Sequence, residues 1–370
     1  MSNKLRNGSL VSGELPKGCA LCARGSKLVL LVTGLCPASC YYCPLSDAKS
    51  DRDVAFADEM PVRRWSDILR EAEAIGAEGA GITGGDPLVV MRRTSRYVSA
   101  LKRKFGQDFH IHLYTADTDA GKVRALVRAG LDEIRFHPPV GAWNKFGRSG
   151  YPAAIKTAAK DGAVVGVEVP AIPGSPLAEL LEALESTEID FANLNELEFS
   201  ETNWRELKAH GFAVKDDVHS GVLGSEESAA GLVRKWKGPF ALHYCSASFK
   251  DGVQLRNRLL RRAERTARPS DLQTGEGTLL KGVVETRTPS KTRTTLARRF
   301  QIPPELIRVD RHKRTVEVAP WILEEIAGEL DLPCYIVEEY PTADRLEVER
   351  RPLNKAKPGR RRNPRRRELD

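Results

Sequence analysis

The stretch Cys36-Pro37-Ala38-Ser39-Cys40-Tyr41-Tyr42-Cys43 places three cysteines within eight residues. It follows an apolar run, residues 28–33, that is typical of a buried β-strand. The strand therefore delivers three thiolates into one loop. Three soft ligands this close together can share one metal centre, and three protein ligands leave a coordination position open for a ligand that is not protein. The stretch predicts a site where chemistry takes place.

The spacing Cys-x3-Cys-x2-Cys, with an aromatic residue directly before the last cysteine, resembles the signature of the radical S-adenosylmethionine (SAM) enzymes. The resemblance implies that Cys36, Cys40 and Cys43 hold a 4Fe-4S cluster and that Tyr42 belongs to the cofactor-binding residues. In that superfamily SAM chelates the fourth iron, and an electron from the cluster cleaves SAM to a 5′-deoxyadenosyl radical. The alternative is a structural zinc knuckle, for which Cys19 and Cys22 are the nearest further ligands.

A second motif, Thr83-Gly84-Gly85-Asp86-Pro87, closes the next predicted strand. Glycines at a strand end allow a ligand to approach the backbone closely. The motif resembles the Gly-Gly-Glu-Pro stretch that binds the amino group of SAM in the radical SAM superfamily, with Asp in place of Glu. The resemblance assigns SAM binding to Gly84, Gly85 and Asp86, because a carboxylate accepts hydrogen bonds from an ammonium group. Without the cysteine loop upstream, the motif would be an ordinary turn.

Helical and strand patterns alternate through the first 200 residues and predict a parallel sheet with helices outside. The predicted strands are 28–33, 80–83, 109–115, 133–136, 164–170 and 191–199. This α/β pattern matches the partial (β/α)6 barrel of the radical SAM superfamily, whose functional loops follow the carboxyl ends of the strands. At such ends we expect Glu168 to bind the ribose of SAM and Asn195 to face SAM or substrate. The alternatives are that Glu168 caps the following turn and that Asn195 lies on a solvated edge strand. No catalytic residue is assigned.

Three other cysteines form a second candidate metal site. Cys19-Ala20-Leu21-Cys22 precedes the first strand, and Cys245 ends another apolar strand. We expect Cys19, Cys22 and Cys245 to bind zinc or a second iron-sulfur cluster, with His243 or an exogenous group as the fourth ligand. The alternative is that the cysteines near the N-terminus are reduced and solvated.

Charge divides the chain of 370 residues, which has a formal net charge of +8. Residues 350–370 contain ten Lys/Arg and two acids, and residues 250–314 contain seventeen Lys/Arg and seven acids. Such segments suit phosphate-rich partners, RNA above all, although a solvated helix and a solubilising tail would have the same composition. No apolar run approaches the length of a membrane span, so we expect a cytoplasmic protein without a membrane partner.

These patterns predict four segments. They are an N-terminal Cys-x2-Cys segment (1–26), a radical SAM barrel with its C-terminal extension (27–268), a small basic α+β domain (269–349) and a disordered basic tail (350–370). More narrowly, residues 17–22, 195–200 and 250–254 resemble an archaeal radical SAM group related to pyruvate formate-lyase activating enzyme.

The sequence therefore predicts an oxidoreductase-like radical SAM enzyme that takes electrons from a ferredoxin- or flavodoxin-type donor. Its favoured substrate is RNA, in particular tRNA, because the basic region offers a docking surface. The first alternative is radical modification or glycyl-radical activation of a protein. The second is a non-catalytic, zinc-stabilised RNA-binding protein.

Overall fold

The computed structural model describes residues 2–215 and 220–354, which belong to two compact units. The first unit ends at Arg261 and the second begins at Arg262. The predicted basic tail from residue 355 onward lies outside the described residues. Within the described ranges, no helix combines the length and apolar character needed to cross a membrane.

The first unit contains an eleven-stranded sheet with the order β1-β2-β11-β10-β9-β8-β7-β6-β3-β4-β5. The strands are β1 Ser2–Lys4, β2 Leu10–Ser12, β3 Lys27–Leu31, β4 Phe56–Ala57, β5 Met60–Pro61, β6 Gly79–Thr83, β7 His110–Thr115, β8 Glu133–Phe136, β9 Val164–Ala171, β10 Phe191–Glu196 and β11 Ala241–Cys245. The strands from β11 through β3 in this order are mutually parallel. The predicted parallel α/β sheet is confirmed, and β11 extends it by a seventh parallel strand.

Helices connect these strands. They are α1 Lys17–Ala23, α2 Trp65–Ala74, α3 Met91–Phe105, α4 Ala120–Ala129, α5 Tyr151–Lys160, α6 Leu177–Glu185, α7 Trp204–Ala209, α8 Ser225–Lys235, α9 Ala247–Phe249 and α10 Arg256–Thr266, with a π-helical segment at Lys250–Leu255. Apolar strand residues such as Ile111 and Leu113 are fully buried in one core with Val98 and Leu101 of α3. We call the side of the sheet that carries this core the outer face.

The opposite side of the parallel strands, here called the inner face, is polar. It carries Lys27 on β3, His110 and His112 on β7, Glu133 and Arg135 on β8, Glu168 on β9, Asn193 and Asn195 on β10, and His243 and Cys245 on β11. These positions alternate with the apolar ones because successive side chains of a strand point to opposite faces. The register pairs Glu168 with Asn193, and Asn193 with His243. Polar side chains of neighbouring strands therefore stand side by side.

The N-terminal segment belongs to the first unit. Strands β1 and β2 form a hairpin, and β2 pairs with β11. Helix α1 lies against the inner face, where the Gly18 amide donates to Glu133 Oε2 at 3.2 Å. A Cβ atom on Gly18 would lie 2.4 Å from His112 Nδ1. The glycine thus allows the Cys19-x2-Cys22 helix to approach the polar side chains closely.

The second unit is a small α+β fold. Its strands are β12 Leu272–Gln273, β13 Leu279–Glu285, β14 Ile307–Asp310, β15 Thr315–Val318, β16 Cys334–Glu339 and β17 Glu347–Pro352, and its helices include α11 Pro289–Arg299 and α12 Pro320–Ile326. The sheet order is β14-β15-β13-β16-β17, and β12 pairs with β13. Val284, Leu296, Val316 and Cys334 belong to its core.

Two predicted boundaries differ from the structure. The second unit begins at Arg262 and not at residue 269, because Arg262 is buried and its Nε donates to Pro341 O at 2.5 Å. Residues 350–352, which the charge pattern assigned to a disordered tail, are part of β17. The backbone just beyond is also held, since the Leu353 amide donates to Cys334 O at 2.9 Å.

Candidate active site and cofactor-binding residues

The cysteine loop and the Gly-Gly-Asp motif lie side by side. The Gly85 amide donates to Thr33 O at 2.8 Å, and the Asp86 amide donates to Leu35 O at 2.8 Å. A Cβ atom on Gly84 would lie 2.3 Å from Thr33 O, and one on Gly85 would lie 2.3 Å from Leu35 O. These glycines therefore allow the backbone that leads into the cysteine loop to approach them closely, in addition to any ligand.

The three cysteines of this loop are free thiols. Cys36 and Cys40 are partly buried, Cys43 is exposed, and the Cys43 amide donates to Cys40 O at 3.0 Å. Burial raises the pKa of the Cys36 and Cys40 thiols, so these groups need a bound metal to become thiolates at neutral pH. The loop fits a metal that prefers soft ligands, and at least one of its three thiol ligands, that of Cys43, is open to solvent.

The separation of the sulfur atoms distinguishes a zinc knuckle from a cluster. Thiolates that share one zinc ion, each about 2.3 Å from it, lie roughly 4 Å apart. In a cluster each thiolate binds a different iron and lies farther from the next. A zinc ion would also need a fourth protein ligand close by, and the sequence contains no Cys or His between Cys43 and His110.

Tyr42 anchors the loop to the strand ends. Its side chain is buried, and its hydroxyl lies 3.3 Å from His137 Nε2. His137 Nδ1 in turn lies 2.8 Å from Glu168 O, and Asn203 Nδ2 donates to Tyr42 O at 3.1 Å. These contacts join Tyr42 to other parts of the protein, and its cofactor-binding role stays a prediction. Asn203 carries no sequence signal of this role.

Asp86 does not present the free carboxylate that the sequence predicts. It is 1% exposed, and it accepts from the Leu88 amide at 2.9 Å, the Ala116 amide at 2.9 Å and the Thr115 hydroxyl at 2.9 and 3.0 Å. Thr115 has one hydroxyl hydrogen, so three donors occupy three of the roughly four lone-pair positions of this carboxylate. Asp86 therefore holds the ends of β6 and β7 together, and its direct contact with SAM stays a prediction.

Glu168 and Asn195 meet on the inner face. Asn195 Nδ2 donates to Glu168 Oε1 at 2.7 Å, and Arg135 Nη1 donates to Glu168 Oε2 at 2.6 Å. Although burial opposes ionisation, Arg135 and the asparagine amides hold the pKa of Glu168 below its usual value. Beside them the Oδ1 atom of Asn193, a residue that is 3% exposed, has no hydrogen-bond partner in the structure. This part of the inner face combines a fixed anion with an unused acceptor.

A buried ionic network continues from Glu168 toward the amino ends of the strands. Lys27 Nζ lies 2.9 Å from His110 Nδ1, His110 Nε2 lies 3.4 Å from Glu133 Oε2, and Arg135 Nε donates to Glu133 Oε1 at 2.6 Å. In the described ranges, His110, His112 and Glu133 bring three donor atoms within 4.8 Å of one another. We assign no metal there, because Arg135 is already paired with Glu133 and Lys27 lies against His110, so that both positive charges would repel a metal cation.

This network was not among the sequence predictions, although its signal is visible in the strands. His110-x-His112 and Glu133-x-Arg135 place a polar residue at every second position of β7 and β8. That alternation indicates a polar inner face. The pairing of these charges depends on tertiary contacts, and the periodicity of the strands does not predict those contacts.

The second set of cysteines also faces the inner side. Cys19 and Cys245 are buried and Cys22 is partly buried. Arg135 Nη2 donates to Cys19 Sγ at 3.4 Å, and Gln254 Nε2 donates to Cys245 Sγ at 3.5 Å. The pKa of Cys245 is raised to about 12, mainly by burial, and the nearby Cys22 thiol contributes to that shift.

The arginines of the helix predicted to dock RNA are engaged within the chain. Arg258 contacts Asp58 at 3.1 Å and Glu59 at 2.6 Å. Arg261 donates to the carbonyls of Ile75 and Gly76 at 3.0 and 2.6 Å, and Arg262 donates to a carbonyl of its own unit. The composition of this helix is therefore explained by packing and capping contacts, which leave fewer cations for phosphate groups.

Two family models match the chain. The radical SAM superfamily matches residues 30–187, and a domain of unknown function, DUF8061, matches residues 277–353. A protein of Methanocaldococcus jannaschii named "Putative glycyl-radical enzyme activating enzyme MJ0021" is 38% identical over 361 residues. The alignment covers 92% of this chain and 93% of that protein.

Solved structures with similar folds were also found. Methylornithine synthase (PylB) is 14% identical with a TM-score of 0.42, and the match covers 60% of this chain and 69% of that chain. SuiB of Streptococcus suis bound to S-adenosylmethionine is 13% identical with a TM-score of 0.40, covering 60% and 50%. HemN of Escherichia coli is 12% identical with a TM-score of 0.35, covering 84% and 76%.

The match to the radical SAM superfamily spans both the cysteine loop and the Gly-Gly-Asp motif, and the archaeal relative aligns over almost the whole chain. Family membership brings with it the cofactors of that superfamily, a 4Fe-4S cluster and SAM. The chain belongs to the radical SAM superfamily of enzymes, in a branch related to pyruvate formate-lyase activating enzyme.

Proposed function

We propose that this radical SAM enzyme acts on a protein, and that its reaction is the activation of a glycyl-radical enzyme. The observation that carries the proposal is the 38% identity, over 92% of the chain, to a relative whose name assigns that activity. When bound, the cluster supplies one electron to SAM, whose cleavage gives methionine and the 5′-deoxyadenosyl radical that abstracts hydrogen from the substrate.

Cys36, Cys40 and Cys43 are the residues that would hold this cluster. Three thiolates on one loop leave one coordination position for SAM. The positions of the thiolates are fixed from two sides, by the glycine pair under the start of the loop and by Tyr42 against His137. A loop held in this way loses little conformational freedom when the metal binds.

Glu168, Asn195 and the backbone at Gly84 and Gly85 are the residues we assign to SAM. Glu168 is an ionised acceptor for hydroxyl or ammonium groups, and Arg135 and Asn195 keep its carboxylate in place. The unpartnered Oδ1 atom of Asn193 offers a second acceptor next to it. A buried polar atom without a partner is uncommon in proteins and fits a site that a polar ligand completes. Asp86 supports the site by joining two strand ends.

We favour a protein substrate over RNA, although the charge composition of the sequence favoured RNA modification. Arg258, Arg261 and Arg262 are engaged within the chain, and the archaeal relative's name refers to a protein substrate. The charge of residues 355–370 remains compatible with any acidic partner.

The test is a search for the product radical. The gene is deleted in the organism that encodes this chain, and an anaerobic extract of the deletion strain is incubated with the purified, reduced enzyme and SAM. We expect an organic doublet in the electron paramagnetic resonance spectrum, carried by protein and insensitive to ribonuclease. A backbone α-carbon radical reacts with oxygen, so exposure to air should cleave one protein at one glycine.

The same extract tested with the Cys36, Cys40 and Cys43 triple Ala variant provides the control and should give neither signal. If 5′-deoxyadenosine formation is stimulated only by the RNA fraction, and ribonuclease removes the stimulation, the proposal of a protein substrate is wrong. RNA modification would then be the better supported function.

A further inference from the structure

The inner face carries a second set of metal-binding side chains that the SAM site does not use. Helix α1 brings Cys19 and Cys22, and β11 brings His243 and Cys245, to the same side of the sheet. His243 and Cys245 are two residues apart on one strand, so both side chains point to the inner face. Three soft thiols and an imidazole are the ligand types that iron-sulfur clusters and zinc share.

An independent observation points to a ligand at this place. His243 is 1% exposed, and neither of its ring nitrogens has a hydrogen-bond partner in the structure. A buried imidazole with two unused nitrogens is costly, because each nitrogen has lost its hydrogen bonds to water. A metal ion bound to one nitrogen would remove part of that cost.

The space next to the cysteines is not filled by protein. A cavity of about 150 Å³ is lined by Cys22 together with Lys27, Lys250 and Gln254. Gln254 also donates to Cys245 Sγ at 3.5 Å, so one side chain borders the cavity and contacts the cysteine of β11. Lys250 and Gln254 belong to the π-helical segment, a rare element that occurs often at functional sites.

Hydrogen-bond donors and positive charges lie beside these sulfurs. Arg135 Nη2 donates to Cys19 Sγ at 3.4 Å, and Gln254 Nε2 donates to Cys245 Sγ. Hydrogen bonds to coordinating sulfurs are typical of iron-sulfur sites, where they adjust the reduction potential. Arg135 also supplies positive charge beside the site, as Lys27 and Lys250 do from the cavity wall.

We propose that Cys19, Cys22, Cys245 and His243 hold a second iron-sulfur cluster on the inner face, separate from the one that binds SAM. We prefer a cluster to zinc, because the side-chain N–H groups of Arg135 and Gln254 donate to the Cys19 and Cys245 sulfurs, as is typical of iron-sulfur sites. Four protein ligands leave no open position, so this centre carries electrons or stabilises the fold and does not bind substrate. The proposal is independent of which substrate the enzyme modifies.

The experiment uses the full chain with the first cluster removed. In the Cys36, Cys40 and Cys43 triple Ala variant, reconstituted under strict anoxia, we expect about four irons and four sulfides per chain to remain. Changing Cys19, Cys22 and Cys245 to Ser in that background should remove them. Cys334→Ser is the matched control, since Cys334 is also buried but lies in the core of the second unit, where its Sγ donates to Leu332 O.

The wild-type protein provides a second measurement in case the sextuple variant does not fold. It should contain about eight irons per chain, and His243→Ala should change the absorption and Mössbauer spectra of half of them. A folded Cys36, Cys40 and Cys43 variant without iron, a wild-type chain with about four irons, or zinc in place of iron at these cysteines would overturn the proposal. Each readout is a metal content or a spectrum, so failure here is distinct from failure of the proposed function.

Discussion

Gly85→Ala tests whether the glycine pair exists to seat the cysteine loop. The new Cβ atom would lie 2.3 Å from Leu35 O and 2.5 Å from Leu35 C, both of which are backbone atoms. Carbon and oxygen atoms that are not bonded rarely approach closer than 3.0 Å, so the loop backbone must move by roughly 1 Å. No rotation of a side chain can relieve the contact.

The expected loss of stability has two parts. Forcing an extra methyl group into a closed contact typically costs about 1–3 kcal/mol. The shift also weakens the hydrogen bond from the Asp86 amide to Leu35 O, which is worth about 1 kcal/mol. We therefore expect Gly85→Ala to destabilise the first unit by about 2–4 kcal/mol. Because the displaced segment leads into Cys36, we also expect the iron bound by the first cluster to fall by more than half after reconstitution, while the iron of the second site proposed above is retained.

Urea denaturation followed by tryptophan fluorescence measures this loss. Trp65, Trp143, Trp204 and Trp236 belong to the first unit and Trp321 to the second, so a Trp321→Phe background reports on the first unit alone. Gly231→Ala in α8 is the control, because its new Cβ atom would enter open space and alanine favours a helix by up to about 1 kcal/mol. A Gly85→Ala protein with wild-type stability and full iron content would refute the reasoning.

Three further predictions concern buried charges. Arg135→Met should lower the free energy of unfolding by about 3–5 kcal/mol in the same assay, because Glu133 and Glu168 lose their cation. The control, Arg124→Met, removes an exposed ion pair with Asp161 and should cost under about 1 kcal/mol. Equal effects of the two substitutions would contradict the buried network. Burial opposes ionisation of Glu133, but Arg135 and His110 hold its pKa at about 2, below the usual 4.5. The ionised carboxylate therefore contributes its full share of the folding stability above pH 4.5, and this contribution is lost as the pH falls toward 2. Wild type should therefore lose stability more steeply than Glu133→Gln across that range, and equal slopes would disprove the assignment. Arg262→Ala should destabilise the second unit without altering the salt dependence of RNA binding, because Arg262 is buried and bound to a carbonyl. The control, Arg287→Ala, changes an exposed arginine and should leave stability unchanged. If Arg262→Ala weakened the dependence of RNA affinity on salt concentration, the prediction that helix α10 docks RNA would be supported again.

The parallel sheet was predictable because its strands repeat at regular intervals with helices between them. The seventh strand, β11, was not counted because the described residues between 197 and 240 form the short helix α7 and helix α8 but no named strand. The local pattern there does not repeat the strand-helix unit. The apolar run at residues 240–245 was visible, but its place beside β10 depends on tertiary pairing.

The sequence located the loop and the strand ends at which the candidate site lies, but not the contacts that the side chains there make. The glycine pair indicated a close approach, but a glycine does not specify which atoms approach it. Asp86 matched the family position, and only the structure shows that its carboxylate is used by Thr115 and Ala116. The charge of helix α10 suggested phosphate binding because composition cannot show that Arg261 caps the carbonyls at Ile75 and Gly76.

The central claim is that three cysteines of one loop make this chain a radical SAM enzyme, and the most direct measurement is the amount of 5′-deoxyadenosine formed per chain. Protein reconstituted under anoxia and reduced with dithionite should convert SAM to 5′-deoxyadenosine and methionine. The Cys36, Cys40 and Cys43 triple Ala variant should form none, and Cys334→Ala should match wild type. A wild-type protein that carries its full iron content but leaves SAM intact, or a triple variant as active as wild type, would contradict the account.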